Sequence, residues 1–296
     1  MPELPDVRLY VEALKPRLEG RTLERLRIAS PFVLRSTEPA PADVEGARVR
    51  AVGHRAKRIH LALDGDLHVL VHLMIAGRLH WKPPRAALKG RNQLAAFDFE
   101  NGSLVLTEAG SKRRAAIHLA RGAAGLAAFD RGGLDPLAAS TDEFRARLSS
   151  ENHTLKRALT DQRLVAGIGN AYSDEILFAA RLSPFKQTRS LDDDEWNRLH
   201  RATVDVLEHW IARLQAETRD EFPRKVTAFR EGMAVHGRYR RPCPVCGSPI
   251  QRIVYAENES NYCARCQTGG RLLADRALSR LLRDNWPKRL EDLEGG

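Results

Sequence analysis

The chain has 296 residues, with 48 Lys+Arg against 38 Asp+Glu, so its formal net charge is +10. A length of this order suggests two domains, and 43% hydrophobic with 29% charged residues excludes a largely disordered chain. There is no apolar run of the roughly 18 residues that span a membrane and no signal-like region in MPELPDVRLY, so a cytosolic or nucleoid-associated protein with a polyanionic partner is expected.

In residues 6–18, Val7, Tyr10, Val11, Leu14 and Leu18 recur every three to four positions, which predicts an amphipathic helix closed by Gly20. Apolar runs at 59–63 and 67–73 then flank Asp64-Gly65, and runs at 97–99 and 104–106 flank Asn101-Gly102. Both dipeptides are hairpin signals, because type I′ turns need positive φ. Strands so spaced predict a two-sheet sandwich across the first 130 residues. Residues 130–136, with Gly132, Gly133 and Pro136, read as a linker. Helices are expected at 142–148, 153–160, 172–180 and 192–218, and a last amphipathic helix at 272–283. The fold class expected is α+β, with domains over 1–130, 131–235 and 236–270 and an extension over 271–296.

Cys243-Pro-Val-Cys246 and Cys263-Ala-Arg-Cys266 are two C-x2-C knuckles with sixteen residues between them. Four thiolates on two knuckles form a closed tetrahedral zinc site, which holds structure and leaves no open position for catalysis. The intervening PIQRIVYAENESNY predicts two strands around a polar turn at residues 257–260. Arg238, Arg240, Arg241, Arg252 and Arg265 lie around this ribbon, which serves either as a DNA-contacting hairpin or as a structural clip.

Between two expected helices, Gly167 and Gly169 bracket one apolar residue and Asn170 follows. Such a turn exposes backbone N–H groups at a helix N-terminus, a seat for a phosphate with Lys156 and Arg157 near in sequence; a plain helix corner capped by Asn170 is the simpler alternative. At the N-terminus, removal of Met1 exposes Pro2, a secondary amine with an ordinary pKa near ~8. Such an amine attacks a sugar C1′ or an aldehyde to give an iminium, with Glu3 alongside to move protons. The plainer role for Glu3 is to favour the first turn of the helix.

MPELPDV, then GIGNAYSDEILFAARLSP, then the paired C-x2-C knuckles resemble, in that order, the formamidopyrimidine-DNA glycosylase/endonuclease VIII family. PELP is more similar to the formamidopyrimidine branch than to the endonuclease VIII branch, which usually reads PEGP. The resemblance implies an N-terminal helix plus β-sandwich, a helix–two-turn–helix domain, a zinc finger and a damaged double-stranded DNA partner bound by a monomer. It implies Pro2 as nucleophile, Glu3 as the acid that protonates the sugar ring oxygen, and Lys57, in HRAKRIHLAL, as the catalytic hairpin lysine. It places His72, Lys156 and Asn170 at phosphates, and one structural Zn2+ on Cys243, Cys246, Cys263 and Cys266. The implied activity is a bifunctional DNA glycosylase/AP lyase of base excision repair that removes oxidised purines through a proline Schiff base and β,δ-elimination.

The sequence departs from that pattern in four places. The acidic position after the second proline is usually glutamate and is Asp6 here. The usual intercalating methionine aligns with Ile75, beside Met74. The DPRRFG loop reads TEAGSKRRA, which leaves Arg113 or Arg114 to fill the vacated stack and supplies no aromatic. Asn258 stands where many members carry an arginine, so either Arg252 or Arg265 substitutes or the lesion is held differently. These departures motivate two alternatives: an endonuclease VIII-like glycosylase of oxidised pyrimidines, or a non-catalytic binder of damaged DNA.

Overall fold

The computed structural model describes the chain except residues 111, 220, 224, 225, 227, 228, 256, 257, 275–279, 282–286, 295 and 296; at 255, 258, 293 and 294 it describes the backbone alone. The chain forms two compact units: Met1–Arg131 with Trp210–Ala228, and Gly132–His209 with Phe229–Gly296.

The first unit opens with α1 (Leu4–Leu18), β1 (Arg25–Ile28), the one-turn α2 (Pro41–Val44), β2 (Val49–Arg55), β3 (Arg58–Leu63) and β4 (Leu67–His72). It continues with β5 (Gly77–Lys82), β6 (Gln93–Phe99), β7 (Gly102–Glu108), β8 (Ala116–Arg121) and α3 (Gly122–Ala127). The strands make two antiparallel four-stranded sheets, ordered β1-β6-β7-β5 and β2-β3-β4-β8, which is the expected sandwich. Alternation along each strand builds the core: Ile59, Leu61 and Leu63 of β3 and Val69 and Val71 of β4 face inward, with Phe97, Phe99, Leu104 and Leu106 of the other sheet in the same buried cluster. The apolar stripe of α1, Val7, Tyr10, Val11, Leu14 and Leu18, is buried in it. Phe222 and Val226, far along the chain, complete this core, with the Phe222 ring 5.9 Å from that of Tyr10.

Both hairpins form, but each turn is displaced by one residue from its dipeptide. Leu63 pairs with Leu67, so Asp64, Gly65 and Asp66 make a three-residue loop, with positive φ at Gly65 and Asp66 rather than at Asp64. Phe99 pairs with Gly102, so the second loop is Glu100-Asn101 and Gly102 starts β7. Gly102 is needed inside the strand, because a Cβ there would collide with the Trp81 indole. Packing, not turn chemistry, fixes that glycine.

The second unit contains α4 (Thr141–Ser149), α5 (Leu155–Thr160), α6 (Asn170–Ala179) and most of α7 (Asp193–Thr218), followed by β9 (Gln251–Tyr255), β10 (Asn258–Tyr262) and α8 (Ala264–Thr268). The helices expected at 142–148, 153–160, 172–180 and 192–218 are present. Ser140 caps α4 by accepting the Glu143 N–H, while the Glu143 carboxylate accepts the Ser140 N–H at 2.8 Å, a reciprocal box that fixes the start of the helix. The finger hairpin differs from expectation at its tip, where Asn258, Glu259 and Ser260 already belong to β10 rather than to the turn. Ile253, Tyr262, Ala264, Leu272 and Leu290 form a small core under it. Most of the helix expected at 272–283 lies outside the described residues; Leu272 at its start is buried. Among the described residues no helix is long and apolar enough to cross a membrane.

Candidate active site

The amino terminus leads directly into α1. Pro2 and Glu3 are buried, and Glu3 is the N-cap of the helix, its N–H donating to Asp6 Oδ2 at 2.9 Å. This gives Asp6 a physical role. Its short side chain, fully buried, satisfies an N–H at the helix start that would otherwise go unpaired.

Lys57 stands beyond Ala56, which holds the β2–β3 turn at φ 50°, and is 9% exposed. Burial pushes its ammonium pKa down, and Glu3 partly offsets this. The Met1 ammonium is likewise pushed down by burial, against the pull of Glu3 and Asp6 and with the help of Lys57 and Arg78. The first residues, Glu3, Asp6 and Lys57 therefore share one electrostatic site. An amine here loses its proton more readily than in water, as a nucleophile requires.

His72 ends β4, and burial followed by Arg58, Lys57, His118 and Arg131 pushes its pKa down to about 4. His60, on the same sheet face, also falls to about 4 through burial, His68 and Arg55. A folded pKa below the unfolded value of about 6.5 means stability that is present above pH 6.5 and lost as pH falls through 4. At about 1.4 kcal/mol per unit, His72 accounts for on the order of 3 kcal/mol of acid lability. Thermal melts between pH 7 and pH 4 should show His72→Asn losing less stability on acidification than wild type.

Two loops flank this site. Between β4 and β5, Gly77 N–H donates to the Leu73 carbonyl at 2.8 Å and Arg78 donates to the Ile75 and Gly77 carbonyls at 3.1 and 2.6 Å, so a bonded loop presents Ile75, 58% exposed. After β7, the buried Glu108 carboxylate accepts the Arg114 and Ala115 N–H groups, each at 2.9 Å. This anchors a loop whose Lys112, Arg113 and Arg114 are exposed; Arg113 donates to the Arg91 carbonyl at 2.5 Å.

In the second unit Gly169, not Asn170, is the N-cap of α6, and Asn170 is its first residue. Its Nδ2 donates to the Glu259 carbonyl of β10 at 2.7 Å, which ties the helix to the finger hairpin. Lys156 Nζ donates to the Asn170 carbonyl at 2.7 Å and to Asp174 Oδ1 at 2.5 Å. The fully buried Asp174 also accepts from Ser260 Oγ at 2.9 Å and contacts His236 Nδ1 at 2.8 Å. One helical position therefore binds α5, β10 and residue 236 together.

The next residue, Glu175, accepts the Ala234, Val235 and His236 N–H groups at 2.7, 2.9 and 2.8 Å. Sequence reasoning missed both acids, although two adjacent carboxylates inside an apolar helix face were the available signal. Each buried N–H left unpaired costs about 1–3 kcal/mol. Glu175→Ala should therefore lose at least ~3 kcal/mol in a denaturant melt, while Glu175→Gln, which keeps one acceptor oxygen, should lose less.

The four cysteine Sγ atoms lie within 4.8 Å of one another. A 2.3 Å Zn–S bond in a tetrahedron implies S···S separations of about 3.8 Å, against 3.9 Å for Cys243–Cys266 and 3.4 Å for Cys246–Cys263. Backbone N–H groups of Val245 and Cys266 point at the Cys243 and Cys263 sulfurs at 3.4 and 3.5 Å, which stabilises thiolates. The donor set fits one structural zinc ion. Beside it Arg252 lies over the Tyr239 ring at 4.3 Å and pairs with Glu259 at 3.7 Å, while Arg265 is exposed on α8.

This order of modules, a sandwich, then paired helices, then a four-cysteine hairpin, defines a class of protein, and each module is matched in turn. Residues 1–117 match the formamidopyrimidine-DNA glycosylase N-terminal domain, 133–221 the formamidopyrimidine-DNA glycosylase H2TH domain, and 241–269 the zinc finger found in FPG and IleRS. The formamidopyrimidine-DNA glycosylase of Chloroflexus aurantiacus is 35% identical over 275 residues, covering 90% of this chain and 98% of its own length. The crystal structure of the MutM (FPG) protein from Thermus thermophilus superposes with a TM-score of 0.75 at 32% identity, over 90% and 98% of the two chains. Lactococcus lactis Fpg bound to abasic-site DNA shares the fold at a TM-score of 0.78 and 23% identity, over 90% and 99% of the chains. The chain belongs to the formamidopyrimidine-DNA glycosylase family.

Proposed function

We infer that the protein is a bifunctional DNA glycosylase and AP lyase of base excision repair that removes oxidised purines from duplex DNA. The observation that carries this reading is the shared site at the start of α1, where the first residues, Glu3 and Lys57 act on one another. With Met1 removed, the Pro2 nitrogen attacks C1′ of a flipped-out nucleotide and the damaged base leaves with its bonding electrons and a proton. Glu3 donates a proton to the sugar ring oxygen as the ring opens, and the Pro2 nitrogen and C1′ become an iminium. Loss of a C2′ proton expels the 3′ phosphate, and a second elimination expels the 5′ phosphate, leaving a one-nucleotide gap. Flipping is required because C1′ is inaccessible within the stack.

Lys57 supplies positive charge at the scissile strand, and His72 and Asn170 contact phosphates. Lys156, bonded to Asp174 and to the Asn170 carbonyl, acts on the same phosphate by holding Asn170 in place. Ile75 is the apolar wedge that enters the vacated stack, and Arg113 and Arg114 face the opposite strand. The protein acts as a monomer in the cytoplasm, at the nucleoid.

Borohydride trapping and single-turnover cleavage on duplexes carrying 8-oxoguanine or thymine glycol test this reading. Faster excision of 8-oxoguanine is expected. Faster excision of thymine glycol would assign the pyrimidine branch, and tight binding with no adduct on any substrate would leave a damage binder. With about 6–10 phosphate contacts, affinity should fall ~10³–10⁵-fold between 50 and 200 mM salt; a flat dependence in an anisotropy titration would count against phosphate-dominated binding.

A further inference from the structure

On the outer face of the β2-β3-β4-β8 sheet, Arg58 lies directly opposite His72, and His118, opposite Leu70, is diagonal to it. Opposed and diagonal side chains on one sheet face reach each other. Arg58 is braced in place: its guanidinium stands over the Phe129 ring, 5.8 Å from the centroid, and Nη1 donates to the Phe129 carbonyl at 3.2 Å. The Phe129 ring is in turn 4.8 Å from that of His118. The buried Nε of Arg58 has no hydrogen-bond partner among the described residues.

The charges acting on this cluster are all of one sign. Burial and Arg131 push the Arg58 pKa down, burial, Arg58 and Arg35 push His118 down, and Arg58, Lys57, His118 and Arg131 add to burial at His72. Glu3 acts on Lys57, and Asp130, beside Arg131 in the chain, pairs with Arg55 at 4.0 Å. Cations crowded together repel one another and favour an anion between them.

His72 cannot supply the charge for that anion at neutral pH, because its imidazole is uncharged there. Met74 N–H donates to His72 Nδ1 at 3.3 Å, which places the ring proton on Nε2 and makes it a neutral donor. The countercharge has to come from a neighbour, and the residue facing His72 across the strands is an arginine, whose planar fork suits a phosphate.

The geometry points to a phosphodiester seat on this sheet face, in which Arg58, with Arg131 beside it, supplies the charge and His72 Nε2 a neutral hydrogen bond. The seat rests on the glycosylase reading and deepens it: Arg58 follows Lys57 in the chain, so a phosphate held by Arg58 sets where the strand lies against Lys57. Arg58 is a positioning residue that leaves Pro2 and Glu3 to the chemistry.

The test is an anisotropy titration of the full chain with a duplex carrying a tetrahydrofuran abasic-site analogue, from 50 to 200 mM salt. Wild type is compared with Arg58→Gln, Arg131→Gln and, as a control, Arg121→Gln on the exposed end of β8. Arg58→Gln should lower the slope of log affinity against log salt by about 0.9, the value of one phosphate contact. It should also weaken binding roughly tenfold, while saturating enzyme still gives the borohydride adduct on a second duplex that carries a true abasic site. Arg131→Gln should lower the slope by less, and Arg121→Gln should leave it unchanged.

A wild-type slope in Arg58→Gln, with its melting temperature intact, overturns the seat. If Arg58→Gln does not fold, the exposed Arg131→Gln decides in its place, and an unchanged slope there overturns the seat equally. Steep salt-dependent binding by wild type, untouched by either substitution, removes the seat alone. No salt-dependent binding by wild type removes the DNA reading itself.

Discussion

Pro2→Gly should lower the yield of borohydride-trapped adduct on an abasic-site duplex by roughly 10³-fold or more, because the nucleophile of a covalent mechanism has no substitute. Glycine also leaves an N-terminal amine, but a primary one on a backbone freed from the fixed φ of proline. The secondary amine, whose attack gives an iminium directly, is lost. Glu3→Gln is the sharper companion. The Glu3 N–H that donates to Asp6 belongs to the backbone, so the helix start survives an isosteric change. Excision should fall by about 10²–10⁴-fold, the usual worth of a positioned acid, while affinity and melting temperature stay near wild type. Mass spectrometry on the same preparations must show loss of Met1. A Pro2→Gly protein that traps as well as wild type would place the nucleophile elsewhere, with the buried amine of Lys57, its pKa lowered by burial, as the first candidate.

Removing the metal should have an effect of comparable size on binding. Structural zinc contributes apparent free energies of about 10–16 kcal/mol in isolated fingers, far more than the small clusters around this hairpin can replace. Cys243 and Cys263 are themselves buried with Val235 and Ile250. A Cys263→Ala chain should contain no stoichiometric zinc, and its affinity for damaged duplex should drop at least ~100-fold. The loss extends beyond the finger, because β10 bears the Glu259 carbonyl that receives Asn170 and the Ser260 hydroxyl that donates to Asp174. The core of the sandwich lies in the other unit, so a first melting transition without that of the sandwich is the expected calorimetric signature. Elemental analysis with a one-to-one zinc content in wild type, and wild-type binding after complete chelation, would together contradict this.

Much of the architecture was legible because it rests on short-range periodicity. The stripe from Val7 to Leu18, the alternation in β3 and β4, the cysteine spacing and the helices of the second unit all write a local geometry into adjacent residues. The turn positions were less legible. Asn101-Gly102 suggested a turn glycine, whereas Gly102 is small to admit the Trp81 ring from a neighbouring strand. Asp174 and Glu175 could not be assigned roles, because apart from Lys156 the partners described for them lie about sixty residues or more away at 234–236 and 260. Asp6 reads in the sequence as a departure from glutamate, and in the fold it is the acceptor that starts α1. Long-range hydrogen bonding is where one sequence runs out.

The core of the first unit carries a consequence for how the protein is made. Phe222 and Val226 close over residues that include Tyr10, so the sandwich is built from the two ends of a long intervening stretch. A ribosome that has released residue 131 has delivered both sheets but not the segment that covers them. At about 5–20 residues per second, the nascent sandwich waits several seconds with that apolar surface open while the helices of the other unit are synthesised. A fragment ending at Arg131 lacks Phe222 and Val226 altogether, so it is expected to aggregate rather than fold as an independent enzyme.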